Sequence, residues 1–145
     1  MNQSLELVLI EDDPHDIEIF LNVVEWIGMN DKVRVFSDGR AALDYLQKRE
    51  TKQEGKNPLP GVIFLDLKMP LMNGNEVLQI LRSDPHTARI PVVILTSSSL
   101  DDDIRQSYAF GSNSYVVKPL EFEKFADTIR DIVNYWRNIN VRPVT

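Results

Sequence analysis

Residues 62–66 read VIFLD, four consecutive apolar side chains followed at once by a carboxylate. An apolar run without polar alternation is how a strand buried on both faces of a parallel sheet reads. Residues 92–95, VVIL, have the same character. Working outward, five short β-branched-rich runs recur: Leu5–Ile10, Lys32–Phe36, Gly61–Leu65, Pro91–Leu95 and Ser114–Val117. Their starts lie about 27 residues apart on average, the length of a strand plus a crossover helix.

Helical patterns fill the intervals. Phe20, Val23, Val24 and Ile27 fall at helical core spacing, with Pro14 fitting a first-turn position and Gly28 near the end. Ser37 or Asp38 is placed to cap a second helix carrying Ala42, Leu43 and Leu46. A third holds Val77, Leu78, Ile80 and Leu81, and a fourth opens on SSSLDDD, serine caps with acidic residues that suit a helix N-terminus. The fifth steps through Phe122, Phe125, Ala126, Ile129, Ile132, Val133 and Trp136. Five alternating units predict an α/β fold, a doubly wound five-stranded parallel sheet with helices on both faces. Residues 49–61 read as a long exposed loop and 138–145 as a tail, leaving one domain over 1–145 with a core at about 5–137.

Composition narrows the function. The 145 residues are 43% hydrophobic and 26% charged, ordinary for one globular domain able to bury a core without cross-links. No cysteine is present, which excludes disulfides, thiolate zinc sites and cysteine nucleophiles. Two histidines, His15 and His86, are too few for a multi-histidine metal site. A net charge of −6 offers no basic footprint for nucleic acid and little attraction to an anionic membrane. The apolar runs are far too short to span a bilayer, and MNQSLE has no basic signal-peptide start, so a cytoplasmic protein is expected.

In a doubly wound sheet, ligands bind beyond the carboxyl ends of the strands. The residues there are Glu11-Asp12-Asp13 after the first run, Asp66 after the third, Thr96-Ser97-Ser98 after the fourth and Lys118-Pro119 after the fifth. Each alone has an ordinary reading as a cap, a solvated loop or a strand end. Together they are clustered carboxylates, which repel one another and call for a counter-cation. Lys118 supplies one positive charge, and a hard divalent ion such as Mg²⁺ suits the remaining oxygens.

VLIEDD, FLDLKMPLMNG, VVILTSS and SYVVKPLEFEKF resemble the four signature segments of response-regulator receiver domains, the phosphoacceptor half of two-component signalling. The resemblance covers about residues 5–137. It implies a flavodoxin-like sheet in the order 2-1-3-4-5 and a Mg²⁺-dependent transfer of a phosphoryl group from a histidine kinase to Asp66. It also implies that Glu11, Asp12, Asp66 and the Lys68 carbonyl hold the metal, with Asp12 the more direct ligand of the acidic pair. Lys118 would contact the phosphoryl oxygens, Pro119 would follow a cis bond, Thr96 would bond the arriving group, and Tyr115 would change rotamer with it. The loop at 49–61 and the long last helix further resemble small regulators that partner bacterial phytochrome kinases.

The resemblance thus implies a phosphorylation-controlled switch rather than an enzyme, one that stands alone and acts on a downstream protein or phosphotransfer partner. Two other readings compete. An aspartyl-phosphate phosphohydrolase wants a second aspartate two residues after the nucleophile, where Lys68 stands. A receiver-like interaction module without phosphorylation would have lost one of Asp12, Asp66, Thr96 or Lys118, and all are present. Lys68 either crowds the water that attacks the phosphoryl group or lies in solvent, and the solvent reading is preferred. Tyr135, Ile139, Val141 and Val144 leave apolar residues near the chain end. They are either a fraying tail or a cover for the sheet edge, or else an exposed patch that joins two copies, or docks a kinase, through the face of the fourth helix, fifth strand and C-terminal helix that includes Tyr115.

Overall fold

The computed structural model describes residues 5–29, 32–52 and 59–142. The strands are β1 (Leu7–Ile10), β2 (Val33–Phe36), β3 (Val62–Leu65), β4 (Val92–Thr96) and β5 (Ser114–Val117). Between and after them run α1 (Pro14–Trp26), α2 (Gly39–Lys52), α3 (Gly74–Ser83), α4 (Asp101–Ala109) and α5 (Phe122–Asn134). All pairings are parallel and the order is β2-β1-β3-β4-β5, so the expected 2-1-3-4-5 arrangement is the observed one. Leu7 lies opposite both Val33 and Val62, Ile63 opposite Val92 and Val93 opposite Ser114.

β1, β3 and β4 are buried along their whole length, which explains their unbroken apolar sequences. Alternate side chains feed two half-cores, one on each face of the sheet. Leu7, Leu9, Val62 and Phe64 meet Phe20, Val24, Phe125 and Ile129 from α1 and α5. Val8, Ile10, Ile63 and Leu65 meet Ala42, Leu43, Leu46, Val77 and Leu78 from α2 and α3. Phe20 and Phe64 pack edge to face with centroids 5.0 Å apart. Each such side chain contributes ~1.5–3 kcal/mol by leaving water. A double core of this size lets the sheet tolerate charged residues buried at one edge.

The predicted strand runs begin one or two residues early in four cases, because the first residues sit outside the ladder; Ser114–Val117 matches. Asp13 caps α1, with Pro14 in its first turn, and Asp38 rather than Ser37 accepts from the backbone of α2 at Ala41. Four expectations need correction. Residues 49–52 continue α2 instead of opening a loop, carried on by the packing of Ala42, Leu43 and Leu46; 53–58 of that loop lie outside the described residues. No serine caps α4, because Ser98 Oγ turns instead to Asp103, a residue inside the helix. Phe122 is 56% exposed, and the core stripe of α5 starts at Phe125. Residues 138 and 139 are no tail: α5 widens into a π turn, Tyr135–Ile139, closed by Asn140 N donating to Tyr135 O at 2.7 Å. Val144 lies outside the described residues.

Candidate functional site

The strand ends bring the predicted residues to one edge. Asp66 N donates to Ile10 O (3.0 Å) and Lys118 N to Thr96 O (2.7 Å), so the ladder fixes the backbone of each residue as it leaves its strand. Glu11 and Asp66 are buried, and Asp12 is half-buried. One carboxylate oxygen from each of Glu11, Asp12 and Asp66 lies within 4.8 Å of the others. Asp13 faces away and caps α1 through Oδ1, which accepts from His15 N at 2.9 Å. Its ordinary reading as a cap is therefore right, whereas the cap reading fails for Glu11 and Asp12.

Gly74 at the start of α3 keeps the loop after β3 tight: its N donates to Leu67 O at 3.0 Å. A Cβ there would collide with the Asp66 carbonyl oxygen and Leu67 Cα. Between them the chain makes a three-residue turn in which Met72 N donates to Pro70 O (2.7 Å), with exposed Leu71 at φ 68°. Such a turn is strained for a residue with a side chain.

Lys118 reaches into the acidic cluster. Its Nζ donates to Glu11 Oε1 (2.6 Å) and Asp16 Oδ2 (2.8 Å) and lies 3.9 Å from Asp66 Oδ2. Burial works against its charge, but the carboxylates of Asp16 and Glu11 more than offset that, and its pKa stands above the usual lysine value. Burial dominates at Glu11 and the Asp66 charge adds to it, so despite the lysine its pKa is pushed up to about 7. A pocket of carboxylates with one ammonium is short of positive charge. Its all-oxygen donor set fits a hard divalent cation such as Mg²⁺.

Thr96 is fully buried at the end of β4, and its Oγ1 accepts from Ser98 N at 3.4 Å. Tyr115 on β5 is half-buried, and its hydroxyl donates to Ser98 O at 2.9 Å. The ring is thus fastened to the loop after β4. Lys68 is neither free in solvent nor over Asp66: exposed as it is, its Nζ lies 3.1 Å from Asp103 Oδ2. The Ser98 hydroxyl and the Lys68 ammonium together hold the Asp103 carboxyl below its ordinary pKa. The cis bond expected before Pro119 is not found, as no cis peptide occurs among the described residues.

Sequence reading missed Asp16 and Asp103, and set Ser98 at the edge without giving it a role. An aspartate in the first turn of a helix reads as a complement to the helix dipole, and that reading hid Asp16. Asp103 was hidden in the same way among three consecutive aspartates.

Comparison with known proteins agrees with this geometry. Residues 7–130 match the family described as the response regulator receiver domain. The chain is 37% identical over 137 residues to the probable methanogenesis regulatory protein FilR2 of Methanothrix harundinacea, covering 94% of this chain and 86% of that protein. It is 31% identical over 135 residues to response regulator Rcp1 of Synechocystis, covering 93% and 90%. The crystal structure of Mn²⁺-bound Rcp1 superposes with a TM-score of 0.84 at 29% identity, covering 97% and 99%. That of the phosphorylated cyanobacterial phytochrome response regulator RcpA gives 0.87 at 30% identity, covering 98% and 100%. The chain belongs to the response regulator receiver domain family.

Proposed function

We propose that this receiver domain takes a phosphoryl group from a histidine kinase onto Asp66 and, once charged, changes the surface it offers to a partner. One observation carries the reading: buried Asp66 shares a pocket with the carboxylates of Glu11 and Asp12 and has the Lys118 ammonium 3.9 Å away. In the transfer, an Asp66 oxygen attacks phosphorus, the bond from phosphorus to the kinase histidine nitrogen breaks, and the imidazole leaves with the electron pair. An acyl phosphate remains on Asp66. Such a transfer needs alignment and charge neutralisation more than acid–base chemistry.

Lys118 supplies a fixed positive charge beside the nucleophile. Glu11, Asp12, Asp66 and the Lys68 carbonyl would hold Mg²⁺, which when bound supplies the neutralising charge on the phosphoryl oxygens. Thr96 Oγ1 accepts a backbone hydrogen bond, which leaves its own proton for a phosphoryl oxygen. Drawing Thr96 inward pulls on Ser98, and Ser98 O is the acceptor that holds Tyr115. This links the phosphoryl group to a side chain on β5.

The similarity to Rcp1 and RcpA supports a bacterial phytochrome as the kinase. Output passes to a downstream protein or phosphotransfer partner. No described helix is long and apolar enough to cross a membrane, which accords with a cytoplasmic site. Tyr135, Ile139 and Val141 are exposed rather than covering the sheet edge, which leaves this face open to a second copy or to the kinase. The phosphoacceptor reading is tested by incubation with Mg²⁺ and acetyl phosphate followed by intact mass. The wild type gains one hydroxylamine-labile phosphoryl unit and Asp66→Asn gains none. A wild type that gains nothing refutes the reading.

A further inference from the structure

Lys118 Nζ has three protons and three carboxylates around it. Two of the protons are committed, to Glu11 Oε1 at 2.6 Å and Asp16 Oδ2 at 2.8 Å. Asp66 Oδ2, at 3.9 Å, is within ion-pair range but beyond hydrogen-bond reach. The lysine is therefore bonded to the two carboxylates that are not the proposed nucleophile.

The two bonds differ in how readily they can be given up. The Glu11 side chain is 3% exposed, so no water can take the place of the lysine as its hydrogen-bond partner. The Asp16 side chain is 19% exposed and sits in the first turn of α1, where water and the helix N-terminus stabilise a carboxylate that has lost its lysine. Asp16 is the exchangeable partner.

We propose that Asp16 is a positioning residue: in the resting protein its carboxylate holds the Lys118 ammonium off Asp66, and Lys118 exchanges Asp16 for the phosphoryl group when that group arrives. The proposal rests on the phosphoacceptor reading above. With acetyl phosphate as donor, an Asp66 oxygen bonds to phosphorus, the bond from phosphorus to the acetate oxygen breaks, and acetate leaves with the electron pair. The group then on Asp66 carries up to two negative charges. It attracts the ammonium more strongly than a single, partly hydrated carboxylate does. Asp16 in this way sets both how readily Lys118 serves the incoming group and how firmly it stays with it.

The test is the rate of mass gain from acetyl phosphate at saturating Mg²⁺, with the rate of loss after donor removal. Asp16→Asn keeps the size of the side chain and removes its charge. It should phosphorylate about three- to tenfold faster than wild type and lose the group more slowly, the scale of one partly hydrated, solvent-screened hydrogen bond. Asp16→Glu, which keeps the charge, should stay nearer to wild type. In a Lys118→Ala background, Asp16→Asn should change neither rate, because the effect runs through the lysine. Equal rates for wild type and Asp16→Asn overturn the proposal, as does an equal gain with Lys118 absent, which would trace the effect to lost repulsion of the donor. Asp16→Glu matching Asp16→Asn also overturns it, and that comparison does not depend on the Lys118 variant folding. A wild type that gains no mass refutes the phosphoacceptor reading itself, a separate outcome.

Discussion

Lys68 Nζ lies 3.1 Å from Asp103 Oδ2, tying the loop that follows Asp66 to the first turn of α4. The same carboxylate oxygen accepts from Ser98 Oγ, and Ser98 O accepts from Tyr115. A path of polar contacts therefore runs from the mouth of the site to β5 without passing through Thr96. The Lys68 side chain is 60% exposed, so the ion pair is worth no more than about 1 kcal/mol and can be broken without unfolding the domain. Asp103→Asn should shift stability by less than about 1 kcal/mol. It should also free the ammonium to lie over the phosphoryl group and lengthen the aspartyl-phosphate lifetime a few-fold, as read by mass decay after donor removal. A shortened lifetime would show that Lys68 does not shield the group.

Glu11 gives a pH signature. In the folded protein its pKa is pushed up to about 7, against an ordinary value of 4.5. Between those values the folded state binds more protons than the unfolded state, so its contribution is full below the lower value and is lost as pH rises through about 7. With metal chelated, urea unfolding should show wild type losing stability relative to Glu11→Gln across that window, by up to about 1.4 kcal/mol per pH unit. Saturating Mg²⁺ should flatten the difference, since a bound cation favours the ionised carboxylate. Parallel curves for the two proteins without metal would remove burial as the dominant influence on Glu11.

Gly74 is predicted to be intolerant of a side chain. Its missing Cβ lets α3 start against the backbone of Asp66 and Leu67. Gly74→Ala should cost about 1–3 kcal/mol by overpacking and slow phosphorylation by displacing Asp66. Denaturant midpoints and acetyl phosphate kinetics would measure the two effects, and an unchanged midpoint would contradict the close approach.

Much of the fold and of the site edge follows from the sequence alone. The buried strands announced themselves because two covered faces demand unbroken apolar runs, and the strand ends then placed Glu11, Asp12, Asp66, Thr96 and Lys118 at one edge. What stayed hidden depends on where a side chain turns once it is there. Asp16 and Asp103 sit in helix first turns, where acidic residues are common for reasons of dipole alone. Lys68 looked solvated, and is, yet it is also paired, a distinction only three-dimensional neighbours can make. The end of α2 is ambiguous in the sequence because residues 49–52, three of them charged, suit either a helix or a loop.

Self-association should be linked to phosphorylation if α4, β5 and α5 form the joining face. Tyr135 and Ile139 are 44% and 61% exposed, whereas Trp136 packs partly against the core and is the wrong residue to truncate. Sedimentation velocity should show association tightening with a beryllofluoride mimic and weakening in Tyr135→Ala/Ile139→Ala. A monomer under every condition would leave these side chains without that role.

Borohydride trapping identifies which aspartate carries the phosphoryl group. Borohydride reduces an aspartyl phosphate to homoserine, which peptide mass spectrometry locates by position. After incubation with Mg²⁺ and acetyl phosphate, homoserine should appear at position 66 and at no other aspartate, Asp12 and Asp13 included. Homoserine at another position, or unmodified Asp66 in protein that has gained a phosphoryl unit, would contradict the account.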